Sequence, residues 1–183
     1  MKVTDRALQV WRIRRALHWV RPGAHVLDVG CSDGSLFRVA GGRIGSGVGI
    51  DPLDTDDWRG GAHTVRRTGL FPGAVPPGES FDAITMLAVV EHVEEPELKE
   101  WAHACARLLR PGGRVIITVP SPAVDTILHV GMRLRLLDGM ETHQHHGFDP
   151  RQVPEIFGVA GLRVEASKRF QLGLNNLFVL TLA

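Results

Sequence analysis

The chain has 183 residues, 44% of them hydrophobic, enough for one globular domain with a sizeable core. Its 21 basic and 20 acidic residues leave a net charge of +1, which argues against a dedicated nucleic-acid or membrane-surface protein. Cys31 and Cys105 lie far apart without metal-type spacing, and the arginine-dense start, Met1 to Val20, has no uninterrupted apolar core, so the reading is a reduced, cytoplasmic protein with no signal peptide or membrane span.

Apolar residues at Leu8, Trp11, Ile13, Ala16, Leu17 and Val20 repeat with helical spacing and predict a helix over about 5–20, stopped by Arg21-Pro22-Gly23. Val26 to Val29 is a first strand. It ends in the stretch Asp28-Val29-Gly30-Cys31-Ser32-Asp33-Gly34, a glycine-rich turn that leads into a helix over Ser35 to Ala40. Ligands of open α/β sheets bind at this edge, and Gly30 and Gly34 let backbone and ligand approach closely. Asp28 and Asp33 make the loop acidic, which suits a cationic ligand better than a pyrophosphate. A second short strand, Gly47 to Ile50, ends at Asp51, whose two carboxylate oxygens suit a vicinal diol such as a ribose. Gly45-x-Gly47-x-Gly49 precedes that strand and opens no helix, so it reads as a turn rather than a phosphate loop.

Thr64 to Arg67 is a third strand, followed by Thr68-Gly69-Leu70 and by a loop over Phe71 to Gly78 holding Pro72, Pro76 and Pro77. Phe81 to Leu87 is apolar enough to be buried on both faces. Pro96 to Leu109 is an amphipathic helix, Arg110 to Gly113 a turn, and Arg114 to Val119 a fifth strand. Val124 to Leu137 reads as an added helix, inside an inserted, lid-like segment over about 121–148. Pro150 to Ala160 is a further helix. Leu162 to Ser167 and Phe178 to Leu182 are closing strands, with Asn175-Asn176 as a turn between them. Strands alternating with helices predict a mostly parallel sheet with helices on both faces and an antiparallel last pair.

Three stretches in order resemble the class I S-adenosylmethionine (SAM) methyltransferases, in particular the ubiquinone-biosynthesis O-methylating group. They are Asp28 to Gly34, Phe81 to Val93, and Arg107-Leu108-Leu109-Arg110-Pro111-Gly112-Gly113 ahead of a strand. The resemblance covers nearly everything from Val26 on. It implies a Rossmann-like, seven-stranded α/β sheet with its last strand antiparallel, in one SAM-binding domain over 1–183. Asp28, Gly30, Cys31, Ser32, Asp33 and Gly34 would shape the methionine side, with Ser32 where the family has a middle glycine. Asp51 would hold the ribose, Pro52 and Leu53 the adenine edge, and Thr68, Gly69 and Leu70 the adenine amino group in place of the family's acid. Met86 and Leu87 would border the sulfonium.

Glu91-His92, with the later His146, resembles part of a divalent-metal set in these groups, although Ala88 stands at the first carboxylate position. The alternative is that Glu91 and His92 only start a helix and floor the pocket. His143, His145 and His146 are candidates for a general base, because a neutral hydroxyl must lose a proton to be methylated. The implied function is methyl transfer from SAM to a small-molecule oxygen. The rivals are an RNA 2′-O-methyltransferase and a non-catalytic SAM-fold binding subunit. An NAD oxidoreductase lacks its third glycine here.

Overall fold

The computed structural model describes residues 3–53, 58–60, 64–121 and 148–183. The added helix over Val124 to Leu137 and the histidines at 143, 145 and 146 lie outside the described residues. Helix α1 (Val3–Leu17) is followed by β1 (His25–Val29), α2 (Ser35–Ala40), β2 (Ser46–Asp51), β3 (Trp58–Gly60), β4 (Thr64–Thr68) and β5 (Phe81–Leu87). Then come α3 (Glu95–Leu108), β6 (Leu109–Pro120), α4 (Val153–Gly158), β7 (Leu162–Phe170) and β8 (Asn175–Leu182).

All eight strands share one sheet in the order β3-β4-β2-β1-β5-β6-β8-β7. From β4 to β6 the pairs are parallel, while β8 runs antiparallel to both β6 and β7. These are the seven strands and the antiparallel last member expected from sequence. The three-residue β3, antiparallel to β4 at the edge, is an addition. It is too short and too polar to register as an apolar run.

Two apolar layers sandwich the sheet. On one face Ile13, Ala16 and Leu17 of α1 and Leu36 and Phe37 of α2 pack over Val26, Ala83, Ile116 and Val179. On the other, Leu98, Trp101 and Cys105 of α3 and Ile156 and Phe157 of α4 cover Leu27, Ile50, Ile84, Met86 and Ile117. Phe81 is fully buried and stacks on His25 at 4.8 Å between ring centroids. Burial of one such side chain is worth roughly 1.5–3 kcal/mol.

The glycines of β2 have a packing role that the turn reading missed. A Cβ at Gly47 would lie 2.5 Å from Phe37 Cε1, and one at Gly49 would lie 2.7 Å from Cys31 Sγ. Their bare backbone lets α2 and the loop after β1 settle directly on the strand.

Three other differences have local causes. The helix expected over Pro150 to Ala160 is a 3-10 turn, Pro150–Gln152, followed by α4. Pro154 has no N–H with which to continue the i to i−4 ladder. The Arg110–Gly113 turn is an outpouching within β6, because Leu109 pairs with Phe81 and Arg114 already with Ala83. Asn175-Asn176 is not a turn but the start of β8. Asn175 pairs with Phe170 and with Pro120. The chain reverses instead at Gln171, Leu172 and Gly173, all at positive φ. The side chain of Gln171 bridges this turn to α1, donating to the Leu8 carbonyl at 2.8 Å.

Candidate functional site

The C-terminal ends of β1, β2, β4 and β5 meet at one sheet edge. Between them and the start of α3 lies a cavity of about 560 Å³. Val29, Gly30, Ile50, Asp51, Pro52 and Leu53 form one side. Gly69, Leu70 and Phe71 form a second side, and Ala88, Val89, His92, Val93, Glu97 and Trp101 a third. The walls are mostly apolar with few polar groups, the usual make-up of a small-molecule site.

The loop after β1 is built by alternating left-handed residues. Gly30, Ser32 and Gly34 have φ of 73°, 45° and 72°. Ser32 therefore takes the conformation a glycine would take, at a cost of roughly 1–2 kcal/mol for an L-residue. The Ser32 N–H donates to Asp51 Oδ2 at 2.8 Å, and the Leu53 N–H donates to Asp51 Oδ1 at 2.9 Å. One carboxylate thus fixes the loops after β1 and after β2. Each oxygen keeps a further lone pair, and Asp51, though largely buried, still reaches the cavity wall.

Gly30 is required for space as well as for φ. A Cβ there would lie 2.5 Å from Val89 Cγ2. Asp28 is buried behind this loop and accepts from Thr85 Oγ1 at 2.7 Å. Burial pushes its carboxyl up to about 7, against the Thr85 hydrogen bond; the nearby Asp51 charge adds to the rise.

The remaining residues expected from sequence divide between the cavity and elsewhere. Pro52, Leu53, Gly69 and Leu70 line the cavity. Leu53 and Leu70 are exposed apolar side chains at its mouth, where isolated apolar groups have little else to cover. Cys31 is buried against Gly49. Asp33 is turned to α2, where it pairs with Arg38. Partial burial raises its carboxyl, but Ser35 and Arg38 outweigh that and hold it below the usual range. Met86 is fully buried in the α3-side layer, and neither it nor Thr68 contributes to the cavity walls. Leu87 is half-buried and packs on the α1-side layer.

Glu91 and His92 part company. The Glu91 side chain is buried, with Oε2 lacking a partner among the described residues, and burial raises its carboxyl to about 7. His92 is exposed and lines the cavity. Among the described residues no three His, Cys, Asp or Glu side chains gather as a metal site. No described helix is long and apolar enough to cross a membrane.

His92 apart, the third wall of the cavity was not foreseen as a wall from sequence. Glu97 and Trp101 sit one turn apart on α3, where Glu97 resembles any first-turn acid and Trp101 any core residue. Only their position across from Asp51 distinguishes them.

A family model described as a methyltransferase domain matches residues 6–167. Nocamycin O-methyltransferase of Saccharothrix syringae is 38% identical over 122 residues, covering 60% of this chain and 43% of its own length. The ubiquinone biosynthesis O-methyltransferase of Rhizobium johnstonii is 32% identical over 153 residues, covering 78% of this chain and 61% of its own. The chain therefore spans less than two thirds of either relative. Among solved structures, the magnesium protoporphyrin IX methyltransferase of Synechocystis PCC 6803 with bound SAH superposes with a TM-score of 0.69 at 17% identity. It covers 100% of this chain and 89% of that one, a likeness of fold.

Proposed function

The chain belongs to the methyltransferase-domain family, within the class I SAM-dependent methyltransferases, and we propose that it transfers a methyl group from SAM to an oxygen of a small molecule. The observation that carries the reading is Asp51. Its carboxylate closes the floor of the cavity with lone pairs to spare, beside a glycine whose missing side chain keeps the space open.

The cavity fits the cofactor by that same test. Asp51 would accept from the ribose hydroxyls, and Leu53 and Leu70 would flank the adenine. Asp28, buried behind the loop after β1, would act through its charge on the ammonium end of the methionine moiety. SAM supplies a methyl already activated on a sulfonium, so the protein's part is to hold donor and acceptor in line. An oxygen acceptor on a small molecule is supported by the two O-methyltransferases to which the chain is similar, one named for nocamycin and one for ubiquinone biosynthesis. For a neutral hydroxyl a base is needed, and His143, His145 and His146 are its candidates. Turnover undiminished in a variant lacking all three would reject that role. A metal held by Glu91, His92 and His146 would need Glu91 to leave its buried position, so the base is the better-supported use of the histidines.

The adenine amino group needs an acceptor, and Thr68 does not line the cavity. Glu97 does. We assign it that contact, with His92 beside it. Calorimetric titration with S-adenosylhomocysteine (SAH) tests both layers of the reading. Wild-type protein that is folded and binds no SAH rejects the cofactor assignment. Glu97→Gln should weaken SAH about tenfold, the usual loss for one hydrogen bond to a charged group, and should strengthen the inosine analogue of SAH, whose carbonyl can accept from the Gln amide. Equal losses for both ligands would move the amino contact elsewhere.

A further inference from the structure

On the α1 side of the sheet, away from the cofactor cavity, a small surface pocket of about 50 Å³ lies between the end of α1 and the outer strand β7. Arg15, His18 and Trp19 form one side, and Lys168 and Arg169 the other, over a floor of Phe170 and Leu177. Four basic residues thus line a space the size of one small ion, with Lys168 on the same face of β7 as Phe170 and Arg169 beside it along the strand, and no carboxylate is among them.

The surroundings do not neutralise it. The Lys168 ammonium sits 5.3 Å from the Trp19 ring centroid, and the Arg114 guanidinium is 5.9 Å from the same ring. Glu165, an acid beside this patch, is paired with Arg114, accepting from its Nε and from its terminal nitrogen at 2.7 Å each. Arg15, His18, Lys168 and Arg169 make no ion pair among the described residues. Basic residues in the last turn of a helix complement its dipole, which accounts for Arg15. That argument does not reach Lys168 and Arg169, which come from a strand. Lys168 stands on the same face of β7 as Ala166 and Phe170 but is itself exposed at the sheet edge. In a chain of net charge +1 this concentration of cations is local.

We infer that this pocket binds a phosphate-type oxyanion. The Arg15 guanidinium from α1 and the Lys168 ammonium from β7 suit a compact group with several acceptor oxygens better than a flat carboxylate. The Trp19 ring at the rim provides a face for whatever organic group the oxyanion carries. The site is independent of the cofactor assignment.

Trp19 reports on the pocket directly. Its fluorescence in the full chain should change saturably on titration with inorganic phosphate at constant ionic strength, with a midpoint near about 1 mM or below. Phenyl phosphate at least about tenfold tighter would identify a phosphate ester as the natural occupant, and equal midpoints would identify free phosphate. The double variant Arg15→Gln, Lys168→Gln should raise the midpoint more than about tenfold with SAH binding unchanged. Trp19→Phe should silence the signal while calorimetry still detects phosphate. A response matched by sodium chloride, or one indifferent to the double variant, would overturn the site.

Discussion

Gly30→Val is expected to abolish SAH binding, lowering affinity at least about 100-fold, while the protein stays folded. The first added carbon would lie 2.5 Å from Val89 Cγ2 and 3.3 Å from Cγ1. Val89 is itself a cavity wall, so one of two things must yield. Either Val89 swings into the cavity, or the loop after β1 withdraws and breaks the Ser32 bond to Asp51. Both would remove the seat proposed for the cofactor. Backbone strain is a separate matter, since φ of 73° alone costs a valine roughly 1–2 kcal/mol or more. Gly23→Ala isolates that cost. Gly23 has φ of 74° with nothing within 4 Å of an added Cβ, so its variant should lose stability and keep its SAH affinity. Circular dichroism and thermal melts establish folding, and calorimetry reads the affinity. Gly30→Val binding SAH like wild type would place the cofactor outside this cavity.

What could be read from sequence was whatever depends on local pattern. The run Phe81 to Leu87 is wholly apolar apart from Asp82 and Thr85, and its strand has those same limits. Asp51 could be singled out because a strand-terminal carboxylate offers two acceptor oxygens to a vicinal diol. Its actual bonds, to Ser32 and Leu53, also explain how a serine can stand in the left-handed position. Features that depend on long-range packing were not legible. Gly47 and Gly49 look like turn residues until Phe37 is placed over them. Asn175 is a turn former by composition, but it is buried in β8, with its amide donating to Gln171 at 2.5 Å. The far wall of the cavity comes from α3, whose Glu97 and Trp101 acquire meaning only once the helix lies opposite Asp51. Met86 follows a different rule. Strand alternation sends Thr85 and Leu87 to one face and Met86 to the other, so adjacent sequence positions cannot all border one ligand.

SAH affinity is expected to rise with pH, by up to about tenfold per unit below pH 7, and to flatten above it. The cause is Asp28. In the free protein its carboxyl is pushed up to about 7, chiefly by burial. The protonated form is also well accommodated. Its O–H can donate to Thr85 Oγ1, which then donates to the Leu27 carbonyl 3.2 Å away. A ligand ammonium reverses the preference, because a nearby cation favours the ionised carboxylate. Below about pH 7 binding must therefore expel a proton, at about 1.4 kcal/mol for each unit. Calorimetry in two buffers of different ionisation enthalpy should show release approaching one proton at pH 6 and little at pH 8.5. Asp28→Asn should flatten the profile, weakening SAH above pH 7 far more than below it. For the folded protein alone the sign is opposite. A folded-state pKa above the unfolded value means that the native state holds the extra proton between about pH 4 and 7, so unfolding free energy falls as pH rises through that window. Glu91, also raised to about 7 by burial, contributes in the same direction. Stability and affinity thus pull apart across the same pH range. A wild-type affinity that tracked stability, or did not vary with pH, would mean that Asp28 never meets the ligand's charge.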